Sequence, residues 1–148
     1  MEVQYLILAR YAETLPDGGL QVIGGNLDML TVAEVPYAFP SLYLTSRVSF
    51  DREDALVSHD ISFRVTDPDG EPIAETKLGT TPEHTFSPNR DRLNVNATVL
   101  MMNLLLAKEG IYRFEVVVDN SPAKSTPLRV ELQSKDQSQS DASAREDV

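Results

Sequence analysis

The residues of this 148-residue chain best equipped for chemistry are two histidines, His59 and His84, and two acidic groups, Asp51, Glu53 and Asp54, then Asp67 and Asp69. An imidazole titrates near neutrality, so it can serve as a general base or as a metal ligand. Neither histidine has a partner at ligand spacing. There is no H-x-H or H-E-x-x-H, and a zinc site would have to recruit carboxylates from far along the chain. The stronger reading of each is an exposed or hydrogen-bonded structural histidine. Oxygen-rich loops at one end of a sheet can hold calcium, but Asp67-Pro68-Asp69-Gly70 is already accounted for as a turn. Paired carboxylates for glycoside cleavage need a cleft, which nothing in the sequence announces. No serine sits in G-x-S-x-G, and Ser87 and Ser125 read as loop residues near proline. Gly24-Gly25 lacks the third glycine of a dinucleotide fingerprint, and no glycine-rich loop runs into a lysine. With no convergent constellation legible, the expectation is a protein that is not an enzyme and has no metal or cofactor.

Composition narrows the class further. Thirteen basic residues against 23 acidic ones give a formal net charge of −10, which repels phosphate backbones and anionic membrane surfaces. Cysteine is absent, which removes disulfides, thiol nucleophiles and thiolate metal sites and suits a reducing, cytoplasmic compartment. The first residues, Met1-Glu2-Val3-Gln4, carry an acid where a secretory signal has lysine or arginine. The longest nearly apolar run, Val99 to Ala107, is broken by Asn103 and falls far short of the ~20 residues needed to span a bilayer.

The elements that would have to position any site read as short strands. Residues 1–133 form one domain, and from Ser134 to Val148 the sequence becomes a polar, acidic tail with the composition of disorder. Val3, Tyr5, Ile7, Ala9 and Tyr11 alternate along a first strand, and Pro16-Asp17-Gly18-Gly19 turns it into a second, Leu20 to Val32, in which Gly24-Gly25 marks a bulge or a close backbone approach. Pro36 and Pro40 bracket an extended link into a strand carrying Leu42, Leu44, Val48 and Phe50. Ile61, Phe63 and Val65 line the next strand, and Ile73 to Leu78, Ile111 to Val118 and Leu128 to Leu132 supply three more. About eight strands at spacings of roughly 10 to 17 residues, without βαβ alternation, predict an all-β, two-layer antiparallel sandwich.

The segment Leu93 to Ala107 has helix-compatible composition, yet Leu93, Val95, Ala97, Val99 and Met101 keep strict period two, so a strand is predicted. Asn94, Asn96 and Thr98 hold the opposite face, which then becomes apolar through Leu100, Met102, Leu104 and Leu106. If all four stand outward, they make a patch that association should bury. The competing expectation is a bulge at Asn103 that turns them inward, or a helix.

Glu109-Gly110-Ile111-Tyr112-Arg113-Phe114 resembles the corner entering a late strand of immunoglobulin-like and fibronectin-like sandwiches, in which a tyrosine bonds back to the backbone. The resemblance implies that Phe114 enters the core where antibody domains place cysteine. Val22 to Leu27, then Pro36, Pro40, Leu42 and Leu44, then Gly110-Ile111-Tyr112 resemble, over roughly residues 3 to 133, a family of bacterial proteins of unknown function. That resemblance implies a compact sandwich and no activity. The expected function is a protein-interaction module, bound to a protein partner or to a second copy through a sheet face. The alternative is a small-ligand or carbohydrate-binding module, which the absence of tryptophan disfavours.

Overall fold

The computed structural model describes residues 1–81 and 89–134; His84, Ser87 and the tail beyond Ser134 lie outside the described residues. The described chain is all-β, with a single 3-10 turn at Asp54–Leu56. Nine strands follow in order: β1 (Glu2–Thr14), β2 (Leu20–Gly25), β3 (Met29–Val32), β4 (Tyr37–Asp51), β5 (His59–Thr66), β6 (Pro72–Thr81), β7 (Arg92–Leu106), β8 (Gly110–Val118) and β9 (Ser121–Leu132). They form two sheets, sheet A in the order β2-β1-β4-β7 and sheet B in the order β3-β9-β8-β5-β6.

Alternation dictates which side chains meet between the sheets. In β5 Ile61, Phe63 and Val65 are buried while Ser62, Arg64 and Thr66 are partly open, and in β8 Tyr112, Phe114 and Val116 point the same way. They meet Leu8, Leu42, Leu44, Val48 and Phe50 of sheet A in one core cluster. Each fully buried leucine or phenylalanine there contributes roughly 1.5–3 kcal/mol over an exposed one.

Two expectations are corrected. The second strand is not one bulged strand from Leu20 to Val32: it breaks after Gly25, and the chain crosses to the other sheet. Gly24 at φ +63° and Asn26 at φ +56° make the break. At Gly24 a side chain would also meet the Arg10 stem at 3.0 Å. After the crossing, β3 runs parallel to β9, so the sandwich is antiparallel in every neighbouring pair but this one.

The second correction concerns β7. It is a strand, as its period predicts, but its inward face changes midway. Ala97 and Met101 are buried, and so are Leu104 and Leu106, three and five residues beyond Met101. Asn103, at φ +53°, is the switch. Its neighbour β4 switches at the same level, from Leu42 to Phe39, and the register stays continuous, with Met102 opposite Ser41 and Leu104 opposite Phe39. Neither strand gains a residue, so this is no one-strand bulge; both reverse their faces together about Pro40 and Asn103. Pro40 is tolerated in a central strand because β1 leaves β4 after the Ala9–Tyr43 pair.

The β7–β8 corner is closed by Tyr112, whose buried hydroxyl donates to the Lys108 carbonyl at 2.8 Å and accepts from the Lys108 N–H at 3.2 Å. Gly110 beside it has φ +130°, and any Cβ there would sit 2.7 Å from the Pro68 ring.

Asn103→Val should destabilise the fold by roughly 1–2 kcal/mol, because a β-branched residue resists the left-handed region, whereas Asn103→Gly should be neutral or stabilising. Urea denaturation checks this through the midpoints of the two variants at unchanged slope.

Candidate interaction face

The sequence-predicted patch divides at the switch. Leu100 and Met102 stand on the outer surface of sheet A, exposed to 41% and 68%, while Leu104 and Leu106 are in the core. The reversal at Asn103 brings out Leu105, which shares the alternation of Leu93 to Met101 yet is 56% exposed and lies opposite Ala38.

Strand pairing adds side chains from the rest of the sheet. Leu100 lies opposite Tyr43 in β4, and the Tyr43 ring contacts Tyr11 of β1 at a centroid distance of 5.2 Å, tilted by 59°. Tyr11 lies opposite Ile23 of β2, which is more than half exposed. An apolar and aromatic row therefore crosses all four strands of sheet A. The Tyr11 hydroxyl donates to Glu13 at 2.8 Å, which fixes the ring and, with the carboxylate beside it, raises the phenol's pKa. Tyr11, Tyr43 and Ile23 escaped the sequence pattern because adjacency across strands depends on register. The alternation of β1 and the Gly24-Gly25 signal were visible, but the Ala9–Gly25 and Ala9–Tyr43 pairings that align them were not.

The other half of the same surface is polar. Thr45 and Thr98 share a hydroxyl hydrogen bond at 2.8 Å, and Arg47 pairs across the strands with Tyr5 on one side and Asn96 on the other. Burial beside this group raises the pKa of Tyr5, against the opposing pull of the Arg47 charge. Arg47 Nε and Ser49 Oγ are buried with no hydrogen-bond partner among the described residues. The outer surface of sheet B is built differently. Arg64 stands between Glu75 and Glu115 on the flanking strands, and Arg129 lies between Met29 and Ile111, so charges interrupt the apolar side chains as on an ordinary solvated sheet.

The polar candidates are drawn into structure. His59 is nearly buried and stacked on Phe50 at 4.7 Å, with Nδ1 2.6 Å from the Asp119 carboxylate and Nε2 2.5 Å from the Asp54 carbonyl. Both ring nitrogens face acceptors, so both must carry protons, and the imidazolium is the fitting form. The Asp119 hydrogen bond, partly opposed by burial, raises the His59 pKa, and the same bond lowers that of Asp119. Asp119 also accepts from the Asp60 N–H at 3.0 Å, so the cluster fastens the start of β5 to the β8–β9 turn.

Asp51 accepts the Asp54 N–H at 2.8 Å, which lowers its pKa, and the Asp54 carboxylate meets the Met1 amino group at 2.5 Å. Asp67 accepts the N–H groups of Asp69 and Glu71 at 2.9 Å each, the Glu71 bond being the larger cause of its lowered pKa. Lys108 pairs with Asp69 and lies 3.6 Å from Asp67. The two acidic groups sit at opposite ends of β5 and do not converge. Among the described residues no group of three or more histidine, aspartate or glutamate side chains is placed to hold a metal ion. Two clefts open on the surface of the described residues. One of about 210 Å³ is lined by Arg10, Leu30, Tyr37, Phe39, Pro40 and Ser41 where β1 parts from β4; the other, about 200 Å³, lies around Asp60, Lys77 and Asn120.

A raised folded-state pKa means that the His59 contribution is fully present below the unfolded value of about 6.5 and is lost as pH rises through the folded value. His59→Gln should therefore cost roughly 1.5–3 kcal/mol at pH 6 and progressively less in mildly alkaline solution. Denaturant titrations of both proteins across that range check the sign: a gap that widens with rising pH would contradict it.

No curated protein matches the chain. A family model aligns with residues 4–131, from β1 to β9, and the chain thus belongs to the family of unknown function DUF6941.

Proposed function

We propose that the protein is a non-enzymatic interaction module that presents the outer face of sheet A to a protein partner. The observation that carries this is the row Ile23, Tyr11, Tyr43, Leu100 and Met102, extended by Leu105, on a sheet of which, among the described residues, only the opposite face is packed against the core. Aromatic, leucine and methionine side chains gathered on one surface are the composition of an interface centre, and a contiguous apolar surface of this kind is ordinarily buried by association. Arg47, at the border of the row, adds a cation that would meet an acceptor on the partner. A net charge of −10 favours a protein over nucleic acid or an anionic membrane. The non-enzymatic reading is supported by His59, which has both ring nitrogens engaged within the fold.

An immunoglobulin-like architecture belongs to the same proposal. Its support is the adjacency of β9, β8 and β5 in one sheet and of β1, β4 and β7 in the other, which parallels the G-F-C and A-B-E orders of that fold, together with the Tyr112 corner. A cytoplasmic setting rests on the absence of cysteine, and a bacterial source on the resemblance described above.

A small-ligand module is the second reading, favoured by the Arg10 cleft, whose lining combines Arg10 with the aromatic residues Tyr37 and Phe39. At about 210 Å³ the cleft is below the ~300 Å³ at which sites for drug-sized ligands begin, so the sheet face is preferred.

The double variant Met102→Asp, Leu105→Asp should keep its circular dichroism and lose less than about 1 kcal/mol of stability, because both side chains are exposed. In pull-downs from the native host, it should lose the protein that the wild type captures. Retention of that protein by the variant would overturn the face, and a reproducible thermal shift of several degrees with small carboxylates or sugars would favour the Arg10 cleft instead.

A further inference from the structure

Among the described residues both sheets end in edge strands, and an edge exposes a row of N–H and C=O groups ready to pair with another strand. Three of the four edges carry the usual guards. β2 has six residues and ends in Gly24-Gly25, and β3 has only four. β6 carries Pro72, Lys77 and Gly79, the last at φ +109°, and is out of step with β5 at two points. The fourth edge, β7, runs for 15 residues, and from Leu93 to Leu106 it contains no proline, glycine or charged residue.

The side chains along this edge are incompletely covered on both faces. Leu93, Val95 and Val99 point inward yet are only partly buried at the rim of the core, because the sheet stops there. On the outer face Leu100 and Met102 are exposed. What completes such an edge is an extended strand with apolar side chains on both faces, and β7 itself has that character.

We propose that a second copy of this chain occupies the edge: two β7 strands pair antiparallel about a twofold axis within Arg92–Met102, joining two four-stranded sheets A into one of eight. The charge distribution supports a like partner. The surplus of carboxylates that sets copies apart is elsewhere on the molecule, and the only charge in β7 is Arg92 at its start. Antiparallel pairing puts the two Arg92 side chains at opposite ends of the contact. Val95 and Val99 of one copy then meet Val99 and Val95 of the other, which continues the core across the junction. Eleven paired residues make a contact about 37 Å long, and with one layer of side chains on each face it buries on the order of 1,000 Å², the lower limit for a specific interface. The contact uses each β7 once and, among the described strands, leaves the guarded edges β2, β3 and β6, so it closes at the dimer.

The edge pairing is independent of the sheet face described above, and variants confined to one or to the other separate the two. At tens of micromolar, light scattering on the full chain should give twice the chain's 16.4 kDa. Val95→Lys with Val99→Lys, which places at the rim the guard that β7 lacks, should weaken dimerisation at least tenfold, whereas Ile23→Asp with Leu105→Asp, both exposed on the sheet face and outside the paired segment, should leave the dimer intact. Hydrogen exchange of the wild type at high and low concentration should show protection gained at alternate amides between Leu93 and Met102, a result that stands even where the lysine variant fails to fold. A wild-type monomer, a folded lysine variant that dimerises unchanged, a dimer lost only in the aspartate variant, or protection gained outside β7 would each overturn the proposal.

Discussion

The pairing of β4 with β7 decides which side chains this end of sheet A sends into the core and which it leaves in water. It runs unbroken in register from the Tyr37–Leu106 pair to the Asp51–Arg92 pair, joining central β4 to edge strand β7 of sheet A. A strand pair of this length would ordinarily present one set of residues inward along its whole course. Here both strands reverse at Pro40 and Asn103, where one residue lacks an N–H and the other adopts a left-handed conformation. The reversal lets the sheet cover the core with Phe39, Leu104 and Leu106 at one end and Leu42, Leu44, Val48 and Phe50 at the other. It also decides which leucines are left in water.

Much of this fold was legible in the sequence because period two is a strong signal wherever one face is buried. The strands bearing Ile61, Phe63 and Val65, and Tyr112 and Phe114, follow directly from alternation, and the Tyr112 hydroxyl reaches the backbone four residues upstream as the Gly110-Ile111-Tyr112 corner suggests. The break after Gly24-Gly25 was only half legible. Paired glycines announce an irregularity, but whether the strand bulges within one sheet or crosses to the other depends on what waits at the far side, here the parallel partner β9. The face reversal of β7 was visible as an anomaly, an apolar run on the supposedly outer face broken by Asn103. Its simultaneous occurrence in β4 could not be read from either strand alone.

The candidate face illustrates the same limit. Leu100 and Met102 were singled out from one strand, but the row they belong to also contains Tyr43, Tyr11 and Ile23, contributed by three other strands. Cross-strand neighbours are a property of register, and register is set here by the β1 irregularity between Val3 and Tyr5 and by the turn at Pro16 to Gly19. The polar residues that first drew notice have structural duties instead: His59 staples β5 to the β8–β9 turn, and the acidic loops fold on themselves and on Lys108.

The reversal at Pro40 and Asn103 sorts neighbouring leucines between core and solvent. Methyl-labelled NMR with a soluble paramagnetic agent measures that sorting residue by residue. Strong attenuation of the Leu100, Met102 and Leu105 methyl signals, with Leu104 and Leu106 spared, is the result this structure requires. Attenuation of Leu104 with Leu105 spared would mean that β7 keeps a single face throughout and would contradict it.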